Sequence, residues 1–271
     1  MAVNFKFKDK YDLYDLVHIT RILREPGGCP WDMEQTHTSI RENFLEETYE
    51  VIEAINKNDK ELLKEELGDV LLQVAFHTQI EKEMDSFGFD EVCDGICQKL
   101  IERHPHVFGE VSVSSTDEVL TNWDNIKRKS KGQKTQGSSM LKVPKELPAL
   151  MRAQKIQSKA KKAGFDWDNI DGAFEALYSE LDELKAAMKN GSAEEIRDEM
   201  GDLLFSCVNV SRFLDVDSEE ALTVSNEKFI SRYVTVEKLA EERNINMKET
   251  PIEELDELWK EAKTILGSNR E

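Results

Sequence analysis

The chain has 271 residues, enough for one or two domains with a buried core, and carries 55 acidic against 36 basic side chains, a net charge of −19. That charge repels a nucleic-acid backbone, so duplex binding is not expected. No segment has the pattern of a signal peptide or the length of a membrane span. Cys29, Cys93, Cys97 and Cys207 form no disulfide framework in a chain of this size. Cys93 and Cys97 lie one helical turn apart but lack a second pair or a nearby His at zinc spacing. These features point to reduced thiols and a cytoplasmic location.

The first strong pattern is helical. Phe44, Thr48, Val51, Ile52 and Ile55 recur at i, i+4, i+7, i+8 and i+11, and Leu63, Leu67, Val70, Leu71 and Val74 repeat the pattern. Both stripes are expected to form a buried seam. Between them "NKND" breaks the helix and offers Asp59 as an N-cap. Strand-like alternation is confined to short stretches such as Val111 to Val113. The fold class expected is therefore all-α, with helical hairpins assembled into bundles.

From Ser112 to Pro148 the chain turns basic, polar and Gly/Ser-rich, as in "NIKRKSKGQKTQGSS", and reads as a solvated connector. We expect an N-terminal helical domain over 1–112, a linker over 113–148 and a C-terminal helical domain over 149–271.

The second half repeats the first. Placing Glu47 on Glu180 brings Glu50 onto Glu183, Glu66 onto Glu199, Gly68 onto Gly201 and Asp69 onto Asp202 without a gap. Upstream, "CPWD" has a counterpart in "GFDWD"; downstream, "QKLIER" has one in "EKFISR". The helix break here is "KNGS". Ser192 and Glu195 form a capping box, and Gly191 suits a left-handed helix end.

The chemistry resides in the repeated acids. Glu47 and Glu50 share one helix face, Glu66 and Asp69 share a face of the next, and a short loop makes the two helices neighbours. Glu180, Glu183, Glu199 and Asp202 repeat the arrangement. Four carboxylates beside a buried seam repel one another, so their pKa values rise or cations neutralise them. Oxygen-only ligands favour a hard ion, Mg²⁺ or Mn²⁺. Gly68 and Gly201, inside helices, imply close packing of another helix or a close substrate. Lys99/Arg103 and Lys228/Arg232 each lie on one helix face and suit phosphate contacts. No Walker loop occurs, and His104 and His106 read as structural.

The ordered set "GCPWDMEQTHTSI", "EETYE", "EELGD", "ERHPHVFG", "GFDWD", "ELDE", "EMGD", "NEKFISR" and "LDELWKEAK" resembles the MazG family over nearly the whole chain, duplication included. The resemblance implies tandem all-α NTP pyrophosphohydrolase domains that usually dimerise. It implies Mg²⁺-dependent hydrolysis of (deoxy)nucleoside triphosphates to monophosphate and pyrophosphate, in nucleotide housekeeping. The family's metal ligands fall on Glu47, Glu50, Glu66 and Asp69, and on Glu180, Glu183, Glu199 and Asp202. Its C-terminal phosphate contacts fall on Lys228 and Arg232, and Trp259 matches a Trp near the nucleotide. Some relatives carry Lys four residues before the first and third ligands of the second domain; here those positions are Ala176 and Glu195. An alternative reading is a nucleotide- or metal-binding regulatory protein, or a helical dimerisation module, with inactive tetrads.

Overall fold

Capping chemistry sets the helix boundaries. Asp12 and Asp15 form a capping box at the start of α1 (Leu13–Arg24). Pro30 opens the short α2 (Pro30–Glu34). Asn58, left-handed at φ 53°, ends α3 (Arg41–Lys57). The Asp59 carboxylate then accepts from the Glu61 and Leu62 amides to start α4 (Lys60–Glu83). α5 (Phe89–Arg103) and α6 (Pro105–Phe108) follow.

Further along lie α7 (Gln136–Met140), α8 (Ala149–Lys162) and α9 (Ile170–Asn190). The Ser192–Glu195 capping box opens α10 (Ala193–Phe213). Asp217 caps α11 (Ser218–Glu242), and α12 (Ile252–Ser268) completes the order. This computed structural model describes residues 5–116, 118, 119, 122, 123, 126 and 136–268, and among them there is no strand. The basic run of the expected linker, residues 127–135, lies outside the described residues.

The chain divides into two compact units, Met1–Ser130 and Lys131–Glu271. In the first, α3 and α4 form a hairpin, and α1 and α5 pack against α4. Ile40, Phe76 and Ile80 make the core there, with Ala54 and Ala75 fully buried. In the second, α9 and α10 form the equivalent hairpin and α8 packs on α10. Val236, Leu239, Ala240, Leu258 and Ala262 join α11 to α12 in a second core.

Three expectations are corrected. Ile52, Ile55, Leu67 and Leu71 lie exposed, Ile55 at 57%. Periodicity identifies an apolar face, and the described residues leave part of that face uncovered. Gly191 ends α9 at φ −87°, an extended conformation open to any residue. A Cβ on Gly68 or Gly201 would meet nothing within 4 Å, so among the described residues no helix packs closely on either.

Candidate functional site

Each hairpin concentrates carboxylates at one level. Oxygens of Glu47, Glu66 and Asp69 lie within 4.8 Å of one another, and so do those of Glu180, Glu199 and Asp202. The i, i+3 spacing turns each pair to one face, and the two-residue turn at Asn58–Asp59 brings α3 back onto α4. Glu50 stands outside the tight group but within hydrogen-bonding reach of both Glu47 and Glu66. In the second unit Glu183 is exposed and accepts from the Ser179 hydroxyl at 2.9 Å.

The electrostatics are those of crowded like charges. Burial, and then Asp69 and Glu50, raise the Glu47 carboxyl above its ordinary pKa. Glu66, only 8% exposed, is raised by burial and then by Glu50. Burial also leads for Glu180 and Glu199, each with Glu183 and Asp202 as added causes. Among the described residues, none of these eight carboxylates pairs with Lys or Arg; the ion pairs lie elsewhere, as at Arg24–Glu83 and Arg212–Asp166. Convergent oxygen donors without a protein counter-cation are the donor set a hard divalent ion takes.

The basic candidates sit apart from the carboxylates in contact terms. The Arg103 guanidinium lies 5.3 Å over the Trp123 ring, and Lys99 is exposed on the same helix. Arg232 lies 5.8 Å over Trp259, whose ring also meets Phe229 at 5.1 Å. Arg232, Phe229 and Trp259 thus form one side-chain group between α11 and α12, and Lys228 lies exposed on α11. None of these cations forms an ion pair among the described residues. Glu195 is engaged in the cap of α10.

Sequence reading missed two features. His37 Nδ1 lies 2.7 Å from His77 Nδ1, and His37 Nε2 lies 2.8 Å from Glu81. Burial, and then His37, lower the His77 pKa. The other feature is a pair of buried arginines. Arg24 binds Glu83 through two nitrogens and donates to the Asp32 and Gln35 carbonyls at 2.6 and 3.0 Å. Arg212 binds Asp166 through two nitrogens, at 3.0 and 2.6 Å. In each unit the loop carrying the Trp-Asp motif is therefore held by an Arg. The only sequence signal was the motif itself.

Comparison with known proteins gives consistent matches. The family described as MazG nucleotide pyrophosphohydrolase domain matches residues 35–108 and 171–237, which contain both carboxylate groups. A Thermotoga maritima protein named nucleoside triphosphate pyrophosphohydrolase/pyrophosphatase MazG is 45% identical over 249 residues, 92% of this chain and 94% of its own. The Escherichia coli K12 nucleoside triphosphate pyrophosphohydrolase is 42% identical over 251 residues, 92% of this chain and 95% of its own. Bacillus subtilis YabN is 44% identical over 247 residues, 90% of this chain and 50% of its own.

Proposed function

The chain belongs to the MazG family of nucleoside triphosphate pyrophosphohydrolases, and we propose that it hydrolyses ribo- and deoxyribonucleoside triphosphates to monophosphate and pyrophosphate in a Mg²⁺-dependent reaction. The observation that carries this reading is the duplicated group of convergent carboxylates, free of Lys and Arg partners among the described residues. Glu47, Glu66 and Asp69 would hold the cation in one unit, and Glu180, Glu199 and Asp202 in the other. Mg²⁺, or Mn²⁺ in its place, would neutralise these acids and polarise the triphosphate.

The remaining work falls to the chain. Glu50 and Glu183, beside the tight groups, are our candidates for accepting the proton of the attacking water. Water adds to the α-phosphorus, and pyrophosphate leaves with the bridging oxygen. Lys99, Arg103, Lys228 and Arg232 carry no carboxylate partner among the described residues, which suits them to offset the charge on that leaving group. Trp259 would lie beside the nucleotide of the second unit. Clearing surplus or noncanonical nucleotides is the role that fits such a reaction. The residues that carry the reading lie in 1–112 and 149–271, joined by 113–148.

A homodimer belongs to the same reading. Leu45, Tyr49, Ile52, Ile55, Leu67 and Leu71 are exposed on the α3–α4 hairpin, an apolar strip that a second copy would cover. Four free cysteines fit a reducing cytoplasm. Among the described residues no helix is long and apolar enough to cross a membrane.

The test is product analysis. The eight common NTPs and dNTPs are incubated with Mg²⁺ or EDTA and the products separated by ion exchange. Monophosphate with pyrophosphate, formed only with metal, is expected. Diphosphate with phosphate would overturn the assigned bond.

A further inference from the structure

The second unit contains a cavity of about 530 Å³ whose apolar wall includes Ile156, Ala160, Phe205 and Trp167. Its volume falls in the range of small-molecule sites. The repeat explains why it exists. Aligning Trp31 with Trp167 sets Arg24 against Ala160, and the carboxylate alignment sets Phe76 against Asn209. In the first unit the Arg24 guanidinium lies 5.0 Å over the Phe76 ring. In the second, two smaller side chains occupy the corresponding positions and the space stays open.

The polar groups lining this cavity are specific. Gln157 is 6% exposed; its Nε2 donates to the Phe205 carbonyl at 2.8 Å, which fixes the amide. Its Oε1 is buried with no hydrogen-bond partner. Asn209 Oδ1 accepts from Arg212 Nε at 2.8 Å, so the Asn209 amide nitrogen is the end left to donate. Arg212 is spent on Asp166, so the cavity offers no free cation to a phosphate. An unpaired acceptor and a donor on an apolar wall suit a planar heterocycle with N–H and N or C=O groups along one edge. Phe165, Trp167 and Phe205 are exposed aromatics with faces available for stacking. Trp167 sits tightly on Gly172, where a Cβ would lie 2.4 Å from its Cδ1.

Phe205 is one helical turn beyond Asp202 on α10. We propose that this cavity receives the nucleobase of the nucleotide whose phosphates meet the second unit's carboxylates; the inference rests on the function assigned above. It makes Gln157 and Asn209 the base-contacting residues of that unit. In the first unit Arg24 and Phe76 pack together at the equivalent place.

The test uses the full chain carrying Glu66→Gln, which confines turnover to the second unit. Gln157→Leu removes the acceptor, and Ala160→Leu fills the cavity without touching a polar group. Each is expected to raise KM for nucleoside triphosphates about tenfold with kcat nearly kept. Inhibition by inorganic tripolyphosphate, which has the phosphates and no base, should not change. An unchanged KM in both variants, or KM and the tripolyphosphate constant rising together, would overturn the base pocket alone. Absence of any metal-dependent turnover in the Glu66→Gln parent, with wild type also inactive, would overturn the catalytic reading and this inference with it.

Discussion

Arg24 stacks over Phe76 in the first unit, whereas Ala160 and Asn209 stand at the corresponding places in the second. The carboxylate hairpins differ as well. Glu66 is buried and Glu50 reaches both Glu47 and Glu66, while Glu199 is half-buried and Glu183 exposed. Duplication has thus kept the acids at constant spacing and let the packing behind them diverge. The first unit has the more buried acid group; the second has the more exposed one, and the helix that carries Asp202 also lines a cavity at Phe205.

The largest expected stability effects come from the two arginine clamps. Arg212→Met would leave Asp166, a mostly buried carboxylate, without its partner, and Arg24→Met would strand the Asp32 and Gln35 carbonyls. Each should cost about 3 kcal/mol in urea unfolding. A null effect at Arg24 would remove the packing difference between the units. Gly172→Ala should cost about 1–3 kcal/mol, because the new methyl collides with the Trp167 ring and must displace it. Its near-UV circular dichroism should change with it. Ser192→Ala and Asp59→Ala, which remove equivalent caps from α10 and α4, should cost about 1 kcal/mol each. Unequal costs would show that the two hairpins do not share their start-up energetics.

The smallest effect is a pH dependence confined to the first unit. The His77 pKa is lowered, so as pH falls through the ordinary histidine range the unfolded chain takes up a proton before the folded one does. Stability is therefore present in full above that range and lost below it. The difference in Tm between wild type and His77→Phe should shift against wild type as pH falls from 7.5 to 5.5. A flat difference would mean that the His37–His77 pair does not couple protonation to folding.

Much of this was legible in the sequence. Asp59 and the Ser192–Glu195 box announced their helices because caps act within three or four residues. The acids converge because i, i+3 spacing and a short turn leave them little alternative. Features that depend on remote partners were not legible. Arg24 meets Glu83, and Arg212 meets Asp166, across long separations in sequence. Nothing local marks Gln157 as an unpaired amide, since its environment is made by α10. The exposure of Ile55 and Leu67 was hidden for a related reason: an apolar stripe does not say whether its own chain covers it.

Catalysis by this chain is assigned above to its paired carboxylate groups. Pyrophosphate release from the nucleoside triphosphates should be measured for Glu66→Gln, Glu199→Gln and the double variant, each shown to be folded by circular dichroism. Each single variant should retain the turnover of the intact unit, and the double variant should fall at least about a hundredfold below wild type. A folded double variant that still released pyrophosphate at the wild-type rate would contradict the assignment of catalysis to these acids.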